Sequence, residues 1–231
     1  DWSQGYGFQF WRCRNNAFRG DGAFGQYCLV MPDQDAVLAI TSGLGNMQQV
    51  LDTVWAGLLP EMRPAPLPAD PQAQGRLAEK LSALSLRPAQ GERASPSEAG
   101  LAAKTFPFEE NELGIHSVSI KPSDSGHCLT LRNVHGEQRI DCGAGQWLKG
   151  EMIFEKALAQ PVGGANGKQV FAASGAWAAA DIFMAHVYFY ETPYRLTMTL
   201  RFKDDRLYLD LEYNVAFGKR KWQLSSVAPQ S

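Results

Sequence analysis

The sequence predicts an α+β, mostly β chain: an antiparallel sheet closed by a helix, followed by an antiparallel β-barrel or sandwich. Three observations carry this. Short runs in which apolar residues alternate with polar ones recur along most of the chain, the period of a half-buried strand. One stretch, with Met47, Val50, Leu51, Val54, Trp55 and Leu58, instead repeats at three- and four-residue spacing, as a helix with one apolar face does. Between the two sets of strands, residues 63–71 hold four prolines and no periodicity, the mark of a stiff extended linker.

Taken in order, residues 6–12 and 27–31 are rich in aromatic and branched side chains, Pro32-Asp33-Gln34-Asp35 makes a turn, and residues 36–41 are a third apolar run. They read as a meander whose first hairpin turns about Gly20. Asn46 reads as the cap of the following helix and Pro60 as its stop, and that helix must cover one face of the sheet. Residues 1–62 form this first part. Residues 63–103 form the proline-rich linker with one helix, for which Asp70 and Pro71 suit the cap and first position and Leu77, Leu81 and Leu84 line one side. Residues 88–103, rich in Ser, Ala, Gly and Pro, read as loop. From 104 to 231 the pattern is that of strands, at 116–121, 128–134, 138–142, 146–154, 169–177, 182–190 and 220–225. The clearest hairpin has Leu196, Met198, Leu200 and Phe202 on one arm, a turn at 203–206, and Leu207, Leu209, Leu211 and Tyr213 on the other.

Composition narrows the function. The 231 residues carry 22 basic and 24 acidic side chains, well mixed, for a net charge of −2, so no basic face is set aside for nucleic acid. No apolar run approaches the roughly 20 residues of a membrane span. The chain begins Asp1-Trp2-Ser3, without Met or a leader, which reads as a processed or truncated start. The compartment stays open. Cys13, Cys28, Cys128 and Cys142 lack metal-ligand spacing, and neither a metal nor a cofactor is expected. A hairpin about Gly20 would bring Cys13 and Cys28 nearly opposite each other, making a disulfide geometrically possible; buried free thiols are the favoured alternative. The four histidines lie apart and are assigned no role.

The densest run of unusual choices is 6–27, where Gly20, Gly22 and Gly25 stand between two aromatic, strand-like runs, so that backbone can approach a bound group closely. Gly20 to Gly25 matches G-x-G-x-x-G literally. A dinucleotide fingerprint must enter a helix, however, and this one enters a strand. Kinase motifs are absent.

Gly22-Ala23-Phe24-Gly25-Gln26-Tyr27, followed by Val30 and Pro32, resembles the C-terminal end of the catalytic domain in the serine β-lactamase and penicillin-binding-protein superfamily, in its class C and esterase-like branch. The resemblance covers about residues 1–62. It implies an active-site edge strand, a glycine-rich turn, two further strands and the last helix of that domain. The substrate-binding residues it implies are Arg19, Gly20, Asp21, Gly22, Ala23 and Phe24. The family's Lys-Thr-Gly or His-x-Gly box is departed from here, its places holding Phe18-Arg19-Gly20 or Arg19-Gly20-Asp21 depending on register. The cationic role could pass to Arg19, whose guanidinium would receive a substrate carboxylate, and a backbone N–H within 21–23 would face the oxyanion. The family's nucleophile is a Ser with Lys three residues on, assisted by Tyr-x-Asn or Ser-x-Asn. No Ser-x-x-Lys and no Tyr-x-Asn occurs here, so no catalytic residue lies in this chain.

The expectation is a C-terminal fragment of a hydrolase that, intact, acts on an ester, amide or β-lactam through an acyl-serine. Its partners would be the acyl substrate and the missing N-terminal catalytic segment, and the fragment alone would self-associate. The second part, with Trp177, Phe183, Tyr188, Phe189, Tyr190 and Tyr194, resembles the lipocalin-like β domains appended in that superfamily. A packed core is the favoured reading of those rings. The competing reading is a non-catalytic module whose barrel holds a small apolar ligand or a protein partner.

Overall fold

A computed structural model describes residues 1–153 and 168–227. The chain divides into two compact units, Asp1–Arg87 and Pro88–Ser231, and is α+β and mostly β. In the first unit five strands, β1 (Tyr6–Gly7), β2 (Phe10–Arg12), β3 (Phe18–Gly22), β4 (Gln26–Met31) and β5 (Ala36–Ile40), pair in sequence order, every pair antiparallel.

Two turns depart from the sequence reading. The run 6–12 is not one strand, because Phe8 (φ 52°) and Gln9 (φ 66°) take left-handed backbone and fold it into the β1–β2 hairpin. The next hairpin turns at Ala23-Phe24-Gly25 rather than about Gly20, which lies inside β3 opposite Cys28. At this turn Gly25 has φ 88°, and a Cβ there would stand 2.3 Å from Ser42 Oγ. That hydroxyl lies 2.8 Å from both the Phe24 and Gly25 carbonyl oxygens, so it binds the turn where a larger residue would displace it. The shifted turn also separates the cysteines. Cys13 is buried and Cys28 exposed, on opposite sides of the sheet, and both are free thiols.

Alternation along the strands gives the sheet two unlike faces. One carries Tyr27, Leu29 and Met31, which pack with Leu51 and Val54 of α1 (Gln48–Thr53) and its continuation. That continuation is a π-helical segment, Val54–Leu58, and a closing 3-10 turn, Leu59–Glu61. The helix covers the face its periodicity predicts, although its ends differ. Asn46 does not cap it, since Met47 holds the cap position without a side-chain bond, and Pro60 sits inside the last turn rather than before it. The other face presents Phe10, Phe18, Cys28, Val30, Val37 and Ala39, with Val37 66% exposed. In α2 (Pro71–Ser82) the cap is as expected: the Ala73 amide donates to Asp70 Oδ1 at 2.8 Å. Its leucines Leu77 and Leu81 are exposed.

The second unit begins with a stretch read as loop that contains α3 (Glu98–Leu101), whose Leu101 is buried. The strands β6 (Phe106–Pro107), β7 (Ser117–Ser123), β8 (Gly126–Asn133), β9 (Gly136–Gly143), β10 (Leu148–Ile153), β11 (Lys168–Ala179), β12 (Ile182–Tyr188), β13 (Arg195–Lys203), β14 (Arg206–Tyr213) and β15 (Lys221–Ser225) form one sheet. Its order runs β15-β14-β13-β12-β11-β9-β8-β7-β6, with β10 on β11. The sheet curls into an incompletely closed barrel. Just past β15, the Val227 amide donates to the Pro107 carbonyl of β6 at 2.9 Å, which ties the two ends of the sheet together. The β13–β14 hairpin turns at Asp204-Asp205, both left-handed, as its alternation requires. Trp177, Phe183, Phe189, Tyr194, Phe202 and Tyr213 are buried and pack ring on ring, Trp177 to Phe183 at 5.3 Å, whereas Tyr190 is exposed. The predicted strand 146–154 is realised as β10, and Phe154 lies outside the described residues.

Close packing in this core gives a direct test. A Cβ at Gly175 would stand 2.5 Å from Phe183 Cζ and 3.0 Å from Cys142 Cβ. We expect Gly175→Ala to destabilise the protein by about 1–3 kcal/mol in urea unfolding. Gly218→Ala, with nothing within 4 Å of its Cβ, should stay within about 0.5 kcal/mol of the parent.

Candidate functional site

Period-two geometry decides where the glycine-rich residues point. Along β3, Phe18, Gly20 and Gly22 share the bare face, and Arg19 and Asp21 share the helix-covered one. Arg19 is therefore not a solvated hairpin residue but fully buried, at 0% exposure. A guanidinium taken out of water costs several kcal/mol unless it is paired. Here Nε donates to Asp21 Oδ2 at 2.9 Å, and Nη1 donates to Cys13 Sγ at 3.1 Å. Trp2 lies 4.5 Å from the guanidinium carbon, centroid to Cζ, with Trp11 at 5.8 Å and Tyr27 at 5.7 Å. These rings offer π-faces to the cation. Nη2 is left without a partner among the described residues.

Surrounding groups fix this cage. Tyr27 stands opposite Asp21 across the β3–β4 ladder, and its hydroxyl donates to the Met47 carbonyl at the start of α1, at 3.1 Å. Burial, and then the Asp21 carboxylate, push the Tyr27 phenol up to about 12, against a smaller opposing pull from Arg19. The Asp1 carboxylate accepts from the Arg14 amide (2.8 Å), from Gln48 Nε2 (2.6 Å) and from Trp55 Nε1 (3.0 Å), which ties the segment bearing Trp2 to the helix.

On the other side the strand is open. β2 pairs with β3 at Trp11↔Arg19 and Arg12↔Phe18, so among the described residues Gly20, Asp21 and Gly22 have no strand partner on that edge while β4 pairs with all three. The open edge and the missing side chains of Gly20 and Gly22 leave backbone approachable from the bare face. Ala23 and Phe24 follow in the turn. The six residues named from sequence are thus contiguous, but the strand divides them: Arg19 and Asp21 meet inside, and the two glycines face out. Chemically, the outward part offers backbone donors and acceptors and the inward part offers an ion pair. Sequence reasoning missed Trp2, Trp11, Tyr27 and Cys13 as the lining of the Arg19 cage. Trp11 becomes readable once the Phe8-Gln9 turn fixes the register, whereas nothing local marks Cys13 as an acceptor.

In the second unit, His127 is buried, with its Nε2 against the Glu98 carboxylate of α3 and 3.1 Å from Trp177 Nε1. His186, on the outer side of β12, lies with Nδ1 3.3 Å from Thr197 Oγ1, and burial followed by the nearby Arg195 charge lowers its pKa. Among the described residues no grouping of His, Cys, Asp and Glu is placed to hold a metal, and no helix is long and apolar enough to cross a membrane. No protein-family model and no curated protein matches the chain.

The cage makes two predictions. Arg19→Met leaves the Asp21 carboxylate without its cation in a nearly closed site, and we expect a loss of about 3–5 kcal/mol in denaturant unfolding. Arg19→Met with Asp21→Leu should lose much less than the two single changes summed, since neither charge is then stranded. The Tyr27 shift sets the second. A phenol raised from its usual value of 10.0 to about 12 favours the folded state fully below pH 10, and that contribution is lost as pH rises through 12. Unfolding followed by circular dichroism should therefore steepen between pH 10 and 12, and Tyr27→Phe should remove that component.

Proposed function

We propose that residues 1–62 are one wall of the acyl-transfer site of a β-lactamase-like serine hydrolase, with the nucleophile and its base supplied from outside this chain and the barrel as an appended domain. The observation that carries this reading is the asymmetry of the first sheet. α1 covers one face, whereas the other is apolar, bare and holds the unpaired glycine edge of β3. A sheet with two apolar faces and a helix on only one is incomplete as a layered domain. The resemblance of Gly22 to Tyr27 to the glycine-rich turn of that superfamily names the kind of domain that completes it.

In this reading a serine from the completing segment attacks the acyl carbon, a nearby amine takes the hydroxyl proton, and the carbonyl oxygen becomes an anion. A backbone N–H within 21–23 then holds that oxyanion, and the leaving alcohol or amine departs with the proton. Arg19 acts mainly through position. Its guanidinium fixes Asp21 and so the outward aim of Gly20 and Gly22, from a buried position that a ligand at the bare face does not reach. The alternative of a barrel holding an apolar ligand meets an interior already filled by Trp177, Phe183, Phe189 and Tyr213.

The test is acylation. A fluorescent penicillin or an activated ester should leave no covalent adduct on this chain, as read by intact mass. Stoichiometric labelling of one of its serines would overturn the reading, as would an upstream coding sequence without an in-frame Ser-x-x-Lys. When that upstream segment is joined to the chain, Gly22→Val should lower kcat/KM by roughly 100-fold, because a side chain there keeps the acyl group from the strand.

A further inference from the structure

The edge of the first sheet carries an inference that rests on the self-association expected of a fragment and gives it a specific site. β5 pairs with β4 along one side, and no other backbone hydrogen bond reaches residues 36–40 among the described residues. Its sequence is Ala-Val-Leu-Ala-Ile, with no charge and no proline inside it. Val37 is 66% exposed and Ala39 is exposed. Proteins ordinarily blunt such an edge with lysine, proline or a bulge, because unpaired N–H and C=O groups recruit another strand. None of these devices is present within β5.

We propose that β5 is a dimerisation edge, occupied by β5 of a second copy of this chain running antiparallel about a two-fold axis at Leu38. The sequence is self-complementary in that register. Val37 falls opposite the second copy's Ala39 and Ala36 opposite its Ile40, large against small, while Leu38 meets its own copy on the axis. Asp35, just before the strand, falls opposite Thr41 and meets no like charge. Because a two-fold pairing repeats each contact, every favourable pair counts twice. The two five-stranded sheets become one of ten strands, and their bare faces become continuous. The paired edges bury less than the roughly 1,200 Å² of a stable interface, so the dimer is weak and concentration-dependent.

The experiment is sedimentation of the full chain from micromolar to near-millimolar concentration, with circular dichroism melts to verify folding. The wild type should pass from monomer to dimer. Val37→Lys with Ala39→Lys sets lysine opposite lysine twice in the proposed register and should weaken dimerisation at least about tenfold, the effect of some 1.4 kcal/mol. Val37→Lys with Ala39→Glu sets lysine opposite glutamate twice and should retain the dimer. Both positions are exposed, so both variants should fold. A wild type that stays monomeric overturns the proposal, as does a dimer unmoved by the double lysine, or one lost equally in both variants. A monomeric wild type would also remove the self-association expected of a fragment, whereas loss of the dimer in both variants alike overturns only the β5 register. Acyl-transfer activity enters none of these readouts and is tested separately by acylation.

Discussion

Burial of the Arg19 guanidinium is the constraint around which the first unit is arranged. Desolvating that charge is expensive, and one ion pair with Asp21, one thiol acceptor and three aromatic faces offset it. Several elements of the unit converge to supply those partners. The β1–β2 hairpin brings Trp11, the residues before it bring Trp2, β4 brings Tyr27, and the Tyr27 hydroxyl pins the start of α1. A slip of β3 by one residue would throw Arg19 onto the bare face and Gly20 into the core. The charge therefore makes the register costly to change, and through it the outward aim of Gly20 and Gly22.

That register explains why the two faces of the sheet differ in kind. The inner face is finished: its polar groups are paired apart from Nη2, and its apolar residues meet α1. The outer face has apolar side chains, a glycine segment without a strand partner on one edge, and an exposed thiol at Cys28. Such a surface is built to be covered or approached. In the barrel the described aromatic residues pack on one another, Tyr213 against Phe189, Tyr194 and Trp222 in turn.

What the sequence revealed depended on whether a local signal competed with a tertiary one. The helix after residue 46 was legible because six apolar residues keep one stripe, and the β13–β14 hairpin because five leucines, one methionine and two aromatic residues alternate around Asp204-Asp205. The Asp70 cap needed only its own side chain. By contrast, Phe8 and Gln9 adopt left-handed backbone that bulky residues seldom take, so nothing in YGFQFW announces a turn. α3 is a single turn, too short for a periodicity to register. Arg19 was misleading for a different reason. Phe-Arg-Gly-Asp-Gly has the composition of an exposed turn, and only pairing with β4, which sets Arg19 opposite Leu29, shows that it points inward.

The same geometry separates what can touch a substrate from what can only shape the site. Arg19 reaches solvent nowhere, so a ligand at the bare face meets the main chain of Gly20 to Gly22 and not the guanidinium. Backbone donors are insensitive to side-chain identity except where a new Cβ blocks access, which places the chemical selectivity of this wall in the absence of side chains at two positions. A cation at Arg19 then influences chemistry through Asp21 and strand register, and its substitution acts first on folding. Under the proposed function, a wall of this kind, rigid at its base and bare at its surface, would hold an oxyanion by pre-organised dipoles rather than by a mobile charge.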